Sequence, residues 1–528
     1  MVTAPHPLAA QAGHGVLKEG GSAVEAMVAM AAAIAVAYPH MTGLGGDGFW
    51  LIAEGGSGPI GVSACGQAAR LASIEWYRDQ AGVRALPARG PLSCLTVPGT
   101  VAGWHLALQI GSQMRGYRNL PLDRLLQPAI QAARQGVDLS PNVTDLLLDK
   151  WTELAPQHGF EALYGAGGTD SLPKRGTGHR NPALAETLDY LARHGLEDFY
   201  TGDLAAAMAD ELADLGSPLR ESDFHAMRAS IVECLKLRLK DGTRLYNHPP
   251  PTQGLASLAL LGLWDRLDRP HDLTTAQDLH LMVEATKQAF ALRDVIVTDP
   301  MRLPRDPQEV LDGPDLDRMA SAVDPTMADD MVTPPGGGDT IWMGAVDAEG
   351  NAVSFIQSLY WGFGSGVTLG TGVTVQNRGL GFSLDPQDLN ALAPFARPFH
   401  TLNPAMALLP DGRHLTYGTM GGEGQPQTQA AIFARMLAGG QSPAAAIAAP
   451  RWLWGRTWGE SSATLKLETR LDEEIAADLI GRGHMVEWVE AYSQQMGHAG
   501  AIVQTADGDL TGGSDPRADG CVMVVEGE

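Results

Sequence analysis

Thr340 stands where a threonine can become a nucleophile. It follows Gly336-Gly337-Gly338-Asp339 and opens the apolar, β-prone run Ile341-Trp342-Met343-Gly344-Ala345-Val346. A threonine hydroxyl is a weak nucleophile at neutral pH, but an N-terminal threonine carries its own base, because a freed α-amine can take the hydroxyl proton. Cleavage of the chain between Asp339 and Thr340 would create that terminus. The same residues also fit an ordinary glycine-rich loop entering a strand that begins with a β-former. Ser358 lies on the second strand of the hairpin that Thr340 opens. Pairing about the turn Asp347-Ala348-Glu349-Gly350-Asn351 brings it toward Thr340, where a hydroxyl can orient a nucleophile; the alternative is a polar strand residue facing water. Gly421 and Gly422, in Thr419-Met420-Gly421-Gly422-Glu423-Gly424-Gln425, join a strand to a helix. Their unencumbered N–H groups can stabilise an oxyanion or can form a plain turn.

Other motifs carry less. Gly43-x-Gly45-x-x-Gly48 matches a dinucleotide-binding string, but a helical pattern precedes it and a strand follows, the reverse of what that site needs. A close-packed turn is expected there, with no nucleotide cofactor. The fifteen histidines show no metal-ligand spacing, so no metal site is expected. His400, within Arg397-Pro398-Phe399-His400-Thr401-Leu402-Asn403-Pro404, is the one in a conspicuous loop.

The elements that must position these residues follow from periodicity and caps. Helices are expected over 6–19 and 22–37, the latter capped by Ser22. A strand follows at 49–52, and a helix after Thr96-Val97-Pro98-Gly99. Residues 120–215 read as mostly helical, with a polar break at 164–180. Strands are expected at 229–237 and 243–247, ended by Pro249-Pro250-Pro251, and helices at 254–266 and 275–293. Residues 294–339 are rich in Asp, Pro, Met and Gly without periodicity, which predicts a mobile linker. After Thr340, β-type runs dominate, with a hairpin signal at Pro410-Asp411-Gly412 and helices at 426–438 and 472–482. Continuous apolar strands imply sheets covered on both faces, hence layered α/β packing.

Composition excludes several classes. The 528 residues carry a net charge of −24, which argues against nucleic acid and against an anionic membrane surface as partners while leaving room for a small anion held by local arginines. Cys65, Cys94, Cys234 and Cys521 are scattered, so buried free thiols are expected. The opening residues lack a secretory pattern and the most apolar run, 26–37, is too short to span a bilayer; a cytoplasmic protein is expected.

Together the motifs resemble the γ-glutamyltransferase family of N-terminal-nucleophile hydrolases along nearly the whole chain. The resemblance rests on His6-Pro7-Leu8-Ala9-Ala10, Gly20-Gly21-Ser22-Ala23-Val24-Glu25-Ala26, Pro39-His40-Met41-Thr42-Gly43-Leu44-Gly45-Gly46, Val97-Pro98-Gly99-Thr100-Val101-Ala102-Gly103, Pro249-Pro250-Pro251, Asp339-Thr340 with its hairpin, Gly421-Gly422 and Ser514-Asp515-Pro516-Arg517. It implies an α/β (α+β) fold, a four-layer αββα sandwich. It also implies self-cleavage at Asp339/Thr340 into a large subunit, 1–339, and a small subunit, 340–528. The two would stay together as one domain, with room for a dimer of heterodimers. Thr340 would then be the nucleophile, Ser358 its hydroxyl partner, and Gly421 and Gly422 the oxyanion pair.

The departures bear on the substrate. The family's α-carboxylate-binding Arg aligns with Ala64, its α-amine ligands with Tyr360, Arg378 and Gly381, and a Ser-Ser pair with His400-Thr401. The groups that would receive an ammonium are gone and an arginine has appeared. Arg378 is expected to hold a carboxylate, helped by Thr401 or His400, with Tyr360 and His400 narrowing the pocket for a small anionic amide. This pattern is similar to the branch of the family that hydrolyses oxamate in purine catabolism. A γ-glutamyl hydrolase or transferase, a β-lactam acylase-like relative and an uncleaved scaffold are the alternatives.

Overall fold

The computed structural model describes residues 1–165, 172–174, 176, 178–331, 338–455 and 462–525; Gly336 and Gly337 lie outside these. Two antiparallel sheets stack face to face. The first has seven strands in the order Cys521–Met523, Val2–Ala4, Asp339–Val346, Ala352–Tyr360, Asp47–Ala53, Ile60–Ala64, Ser230–Val232. The second has six: Leu510–Ser514, Ala499–Gln504, His414–Thr419, Ala405–Leu408, Arg244–Asn247, Leu235–Arg238. Helices cover both outer faces, which gives the four-layer αββα sandwich.

The local reasons are legible. Helix Ala23–Ala37 starts at a capping box: Ser22 Oγ accepts from Glu25 N (3.2 Å) and Glu25 Oε2 accepts from Ser22 N (2.8 Å). The helix is apolar on every side and all its residues are buried, as a helix between a sheet and further helices must be. Helices Gly254–Arg266, Ala276–Ile296 and Gln425–Leu437 build the core on the far side of the second sheet. Between the sheets lies the Trp342 indole, its Nε1 donating to Ser354 Oγ at 2.9 Å. A Cβ on Gly418 or Gly500 would come within 2.2 or 2.4 Å of that ring. Glycine there is what admits an indole whose burial contributes on the order of 4 kcal/mol by area.

The turn at 43–48 is close-packed, as expected from its glycines: a Cβ on Gly45 or Gly46 would sit 2.1 Å from the carbonyl oxygen of Thr374 or Ser358. The reading of 294–339 as a mobile linker is corrected over its described part. The preceding helix runs on to Ile296, and Pro307–Asp312 and Asp315–Ala322 are helices whose Val310, Leu311, Leu316 and Met319 join the core. Their periodicity escaped notice because each is short and opens at a proline, Pro307 at the first helical position and Pro314 at the cap.

Three cysteines are buried and Cys521 is half-buried, with no disulfide among the described residues. No helix among them is long and apolar enough to cross a membrane.

Candidate active site

Thr340 lies near the start of strand Asp339–Val346, fully buried, and its Oγ1 has no hydrogen-bond partner among the described residues. On the neighbouring strand, Gln357 pairs with Ile341 and Tyr360 with Asp339. Thr340 therefore faces two residues, Ser358 and Leu359, across a bulge, a device that re-aims side chains beside functional sites. Ser358 Oγ accepts from the N–H of Tyr360 (2.7 Å) and from Arg378 Nη2 (3.3 Å). Tyr360 adopts a left-handed backbone, φ 84°, and the Arg378 guanidinium lies over its ring at 4.0 Å.

Arg378 is the electrostatic centre. It is 0% exposed, and neither its Nε nor its Nη1 has a partner among the described residues. No carboxylate of a described residue lies within ion-pair distance of it. Burial pulls its pKa down to about 10, with Tyr360 and Asp47 acting in the opposite direction. A buried guanidinium with two idle donors is costly to maintain without an anion to bind.

Asp47, which the sequence reading passed over as part of a glycine turn, faces this centre. Its Oδ1 accepts from the N–H groups of Gly66 and Gly99, both at 3.0 Å, and its Oδ2 shares a 3.0 Å hydrogen bond with His400 Nε2. Burial pushes its pKa up to about 7 against the pull of Arg378. Burial and Arg378 hold His400 well below the usual imidazole range. His400 is thus neutral, and it cannot serve as a cationic ligand for a carboxylate. What could have flagged Asp47 is that a lone acid inside Gly45-Gly46-Asp47-Gly48 has no turn-forming need for its charge.

The second sheet brings the other half. Gly421 (φ 126°) and Gly422 (φ 50°) turn the chain from strand His414–Thr419 into helix Gln425–Leu437, a conformation that L side chains resist. No hydrogen bond to a described residue uses the N–H of either glycine. The Oγ1 of Thr401 is likewise buried and unpartnered. Three of these residues meet Gly338, two residues before Thr340: a Cβ there would lie 3.0 Å from Thr401 Oγ1, 3.2 Å from Gly422 Cα and 3.5 Å from Tyr360 Cε2. Gly338 thus lies against Tyr360, Thr401 and Gly422, while Ser358, across from Thr340, bonds Arg378 and the Tyr360 N–H. Beside it a cavity of about 290 Å³ is lined by Tyr360, Gly381, Arg293, Phe399 and Glu423 among others.

Two groups bring metal-ligating atoms within 4.8 Å of one another: Asp47, Cys65 and His400, and His280, Glu284 and His484. In the first, the Arg378 cation opposes a second positive charge. In the second, Lys287 Nζ already pairs with Glu284 at 2.7 Å, and the two histidines bond each other at 2.8 Å. Neither donor set suits a metal ion.

The sequence profile of the family described as Gamma-glutamyltranspeptidase matches residues 9–525. The oxamate amidohydrolase proenzyme of Klebsiella pneumoniae subsp. pneumoniae is 51% identical over 98% of this chain and 97% of its own length. A glutathione hydrolase-like proenzyme of Bacillus subtilis is 39% identical over 99% of this chain and 98% of its own. Among solved structures, the cephalosporin acylase from Bacillus halodurans superposes with a TM-score of 0.89 at 31% identity, covering 100% of this chain and 96% of that one.

Proposed function

We propose, from the premise that this chain belongs to the gamma-glutamyltranspeptidase family, that it is a self-processing threonine amidohydrolase for a small anionic amide, oxamate above all. Thr340 Oγ attacks the Asp339 carbonyl carbon, and the peptide bond passes to an ester. Water hydrolyses the ester, leaving a carboxylate on Asp339 and a free amine on Thr340. Departure of the 338–339 end uncovers Thr401, Gly422 and the Tyr360 ring over which Arg378 lies. In turnover the Thr340 hydroxyl attacks the amide carbon of oxamate while the α-amine takes its proton. The N–H groups of Gly421 and Gly422 receive the oxyanion, and the amine returns the proton to departing ammonia. Water then releases oxalate from the Thr340 ester. Arg378 holds the carboxylate through its idle Nε and Nη1.

The observation that supports this reading most is the buried Arg378, without an ion-pair partner among the described residues and bonded to the serine that faces Thr340. The test is ammonia release from oxamate by the cleaved protein; a cleaved preparation that leaves oxamate intact overturns the substrate. A second reading, a γ-glutamyl amide, is favoured by the adjoining cavity, which exceeds the needs of oxamate. Release of p-nitroaniline from a γ-glutamyl anilide at a higher kcat/KM than ammonia from oxamate would select it.

The site also carries a pH signature. Below about pH 7 Asp47 is protonated and Arg378 is free for the substrate carboxylate; above it, the Asp47 charge competes for Arg378. KM for oxamate should therefore rise as pH passes through about 7. Asp47→Asn, which keeps an acceptor for Gly66 and Gly99 and a bond to His400, should flatten that rise. An inflection that survives unchanged in the variant would remove Asp47 from the account.

A further inference from the structure

We infer that Gln253 is a positioning residue that locks the oxyanion turn to the substrate-holding loop. This rests on the reading of Gly421, Gly422 and Thr401 given above. The two parts come from adjacent strands: Thr401 precedes Ala405–Leu408, Gly422 follows His414–Thr419, and the last ladder pair between the strands is Ala405 with Tyr417. Beyond that pair, at the end away from the 410–412 turn, the two segments no longer pair with each other; Gly418 and Thr419 stay laddered to Gly500 and Ala499 on the other side, so no ladder hydrogen bond fixes the distance from Thr401 to Gly422.

Gln253 spans the gap. Its Nε2 donates to the carbonyl of Thr401 at 2.8 Å and to the carbonyl of Gly422 at 2.9 Å, one amide hydrogen for each. Its backbone N–H donates to the His400 carbonyl at 2.9 Å. Its Oε1 accepts from Arg293 Nη1 at 3.2 Å, and Arg293 Nη2 pairs with Glu423, the residue after Gly422, at 3.1 Å. The side chain is 0% exposed, so water cannot replace these bonds. The Arg293 bond also settles the amide orientation, since only the oxygen can accept from a guanidinium. A carboxamide is the side-chain group that gives two parallel donors and one acceptor on a rigid plane. Leucine fills the same space and offers none, so the two loops could separate by a few tenths of an ångström. Oxyanion donors act only at about 2.7–3.1 Å from the developing charge, so such a shift falls on the chemical step.

The test compares wild type, Gln253→Leu and Arg293→Met as cleaved proteins on oxamate, with oxalate as a binding probe. Gln253→Leu is expected to lower kcat about 10²-fold, with KM and the oxalate Kd within about threefold, because Arg378 carries the charge. Arg293→Met should give a smaller loss of the same kind. The double variant should lose little more than Gln253→Leu, since both act through one clamp. If Gln253→Leu does not fold, Arg293→Met alone decides. Unchanged kcat, or a raised KM at constant kcat, overturns the inference. A wild type inert on oxamate but active on a γ-glutamyl anilide overturns the substrate reading alone. The same kcat loss is then expected on the anilide, because the clamp acts on the turn and not on the acid.

Discussion

Thr340→Ala is expected to leave a single band of 55.8 kDa on a denaturing gel and no amidase activity. Wild type should give two bands that together account for that mass. Loss of the nucleophile alone lowers kcat/KM by about 10⁴-fold or more in enzymes of comparable chemistry. Here a second loss compounds it, because an uncut chain keeps Gly338 against Thr401, Gly422 and Tyr360. The variant should therefore fail to bind oxalate as well as fail to turn over. Stability should move the other way. The Thr340 hydroxyl is buried without a partner among the described residues, and removing such a group relieves a desolvation penalty on the order of 1–3 kcal/mol. A melting temperature equal to or above that of an uncut wild-type sample is expected. Thr340→Ser restores a hydroxyl and should restore both cleavage and turnover. A Thr340→Ala chain that still divides in two would remove Thr340 from the cleavage chemistry.

Arg378→Met is expected to raise KM for oxamate about 10²- to 10³-fold, equivalent to about 3–4 kcal/mol, the usual scale for a buried charge-assisted contact. Self-cleavage should proceed, since Thr340 does not depend on the guanidinium for its attack on Asp339. Arg378→Lys should recover little of the lost affinity, because an ammonium offers a point charge where the carboxylate meets a planar fork. The same Met substitution should stabilise the fold, because it removes a cation that burial already strains toward a pKa of about 10. Opposite signs for binding and stability mark a residue kept for its ligand. Unchanged oxamate kinetics together with a lowered melting temperature would mark a structural arginine instead.

How much the chain discloses beforehand depends on whether the signal is local. The capping box at Ser22 and Glu25, the hairpin about Gly350 and the helix at Gly254–Arg266 each declare themselves within a few residues. The partners in the site do not. Asp47 meets His400 across a sequence separation of 353 residues, and Gln253 meets Gly422 across 169. Nothing near either residue signals the contact. Gln253 also follows closely on Pro249-Pro250-Pro251, whose strand-ending signal dominates that stretch. The strand Val2–Ala4 is three residues long, too short for alternation to register. It exists because the longer strand Asp339–Val346 offers it an edge.

The strand order of the first sheet has a further consequence. Counting outward from Cys521–Met523, residues C-terminal and N-terminal to the 339/340 bond alternate before they segregate, with Val2–Ala4 pinned between two strands of the later segment. A chain cut at that bond is two polypeptides sharing one set of ladders, so dissociation and unfolding become the same event. The order of the refolding reaction then changes. The intact chain recovers its sheet in a first-order process, whereas the cut pair must meet again, at a rate set by concentration. With the proposed cleavage as the activating step, assembly would occur once, before activity exists, and the cut would carry the molecule past a point from which dilute solution offers no easy return.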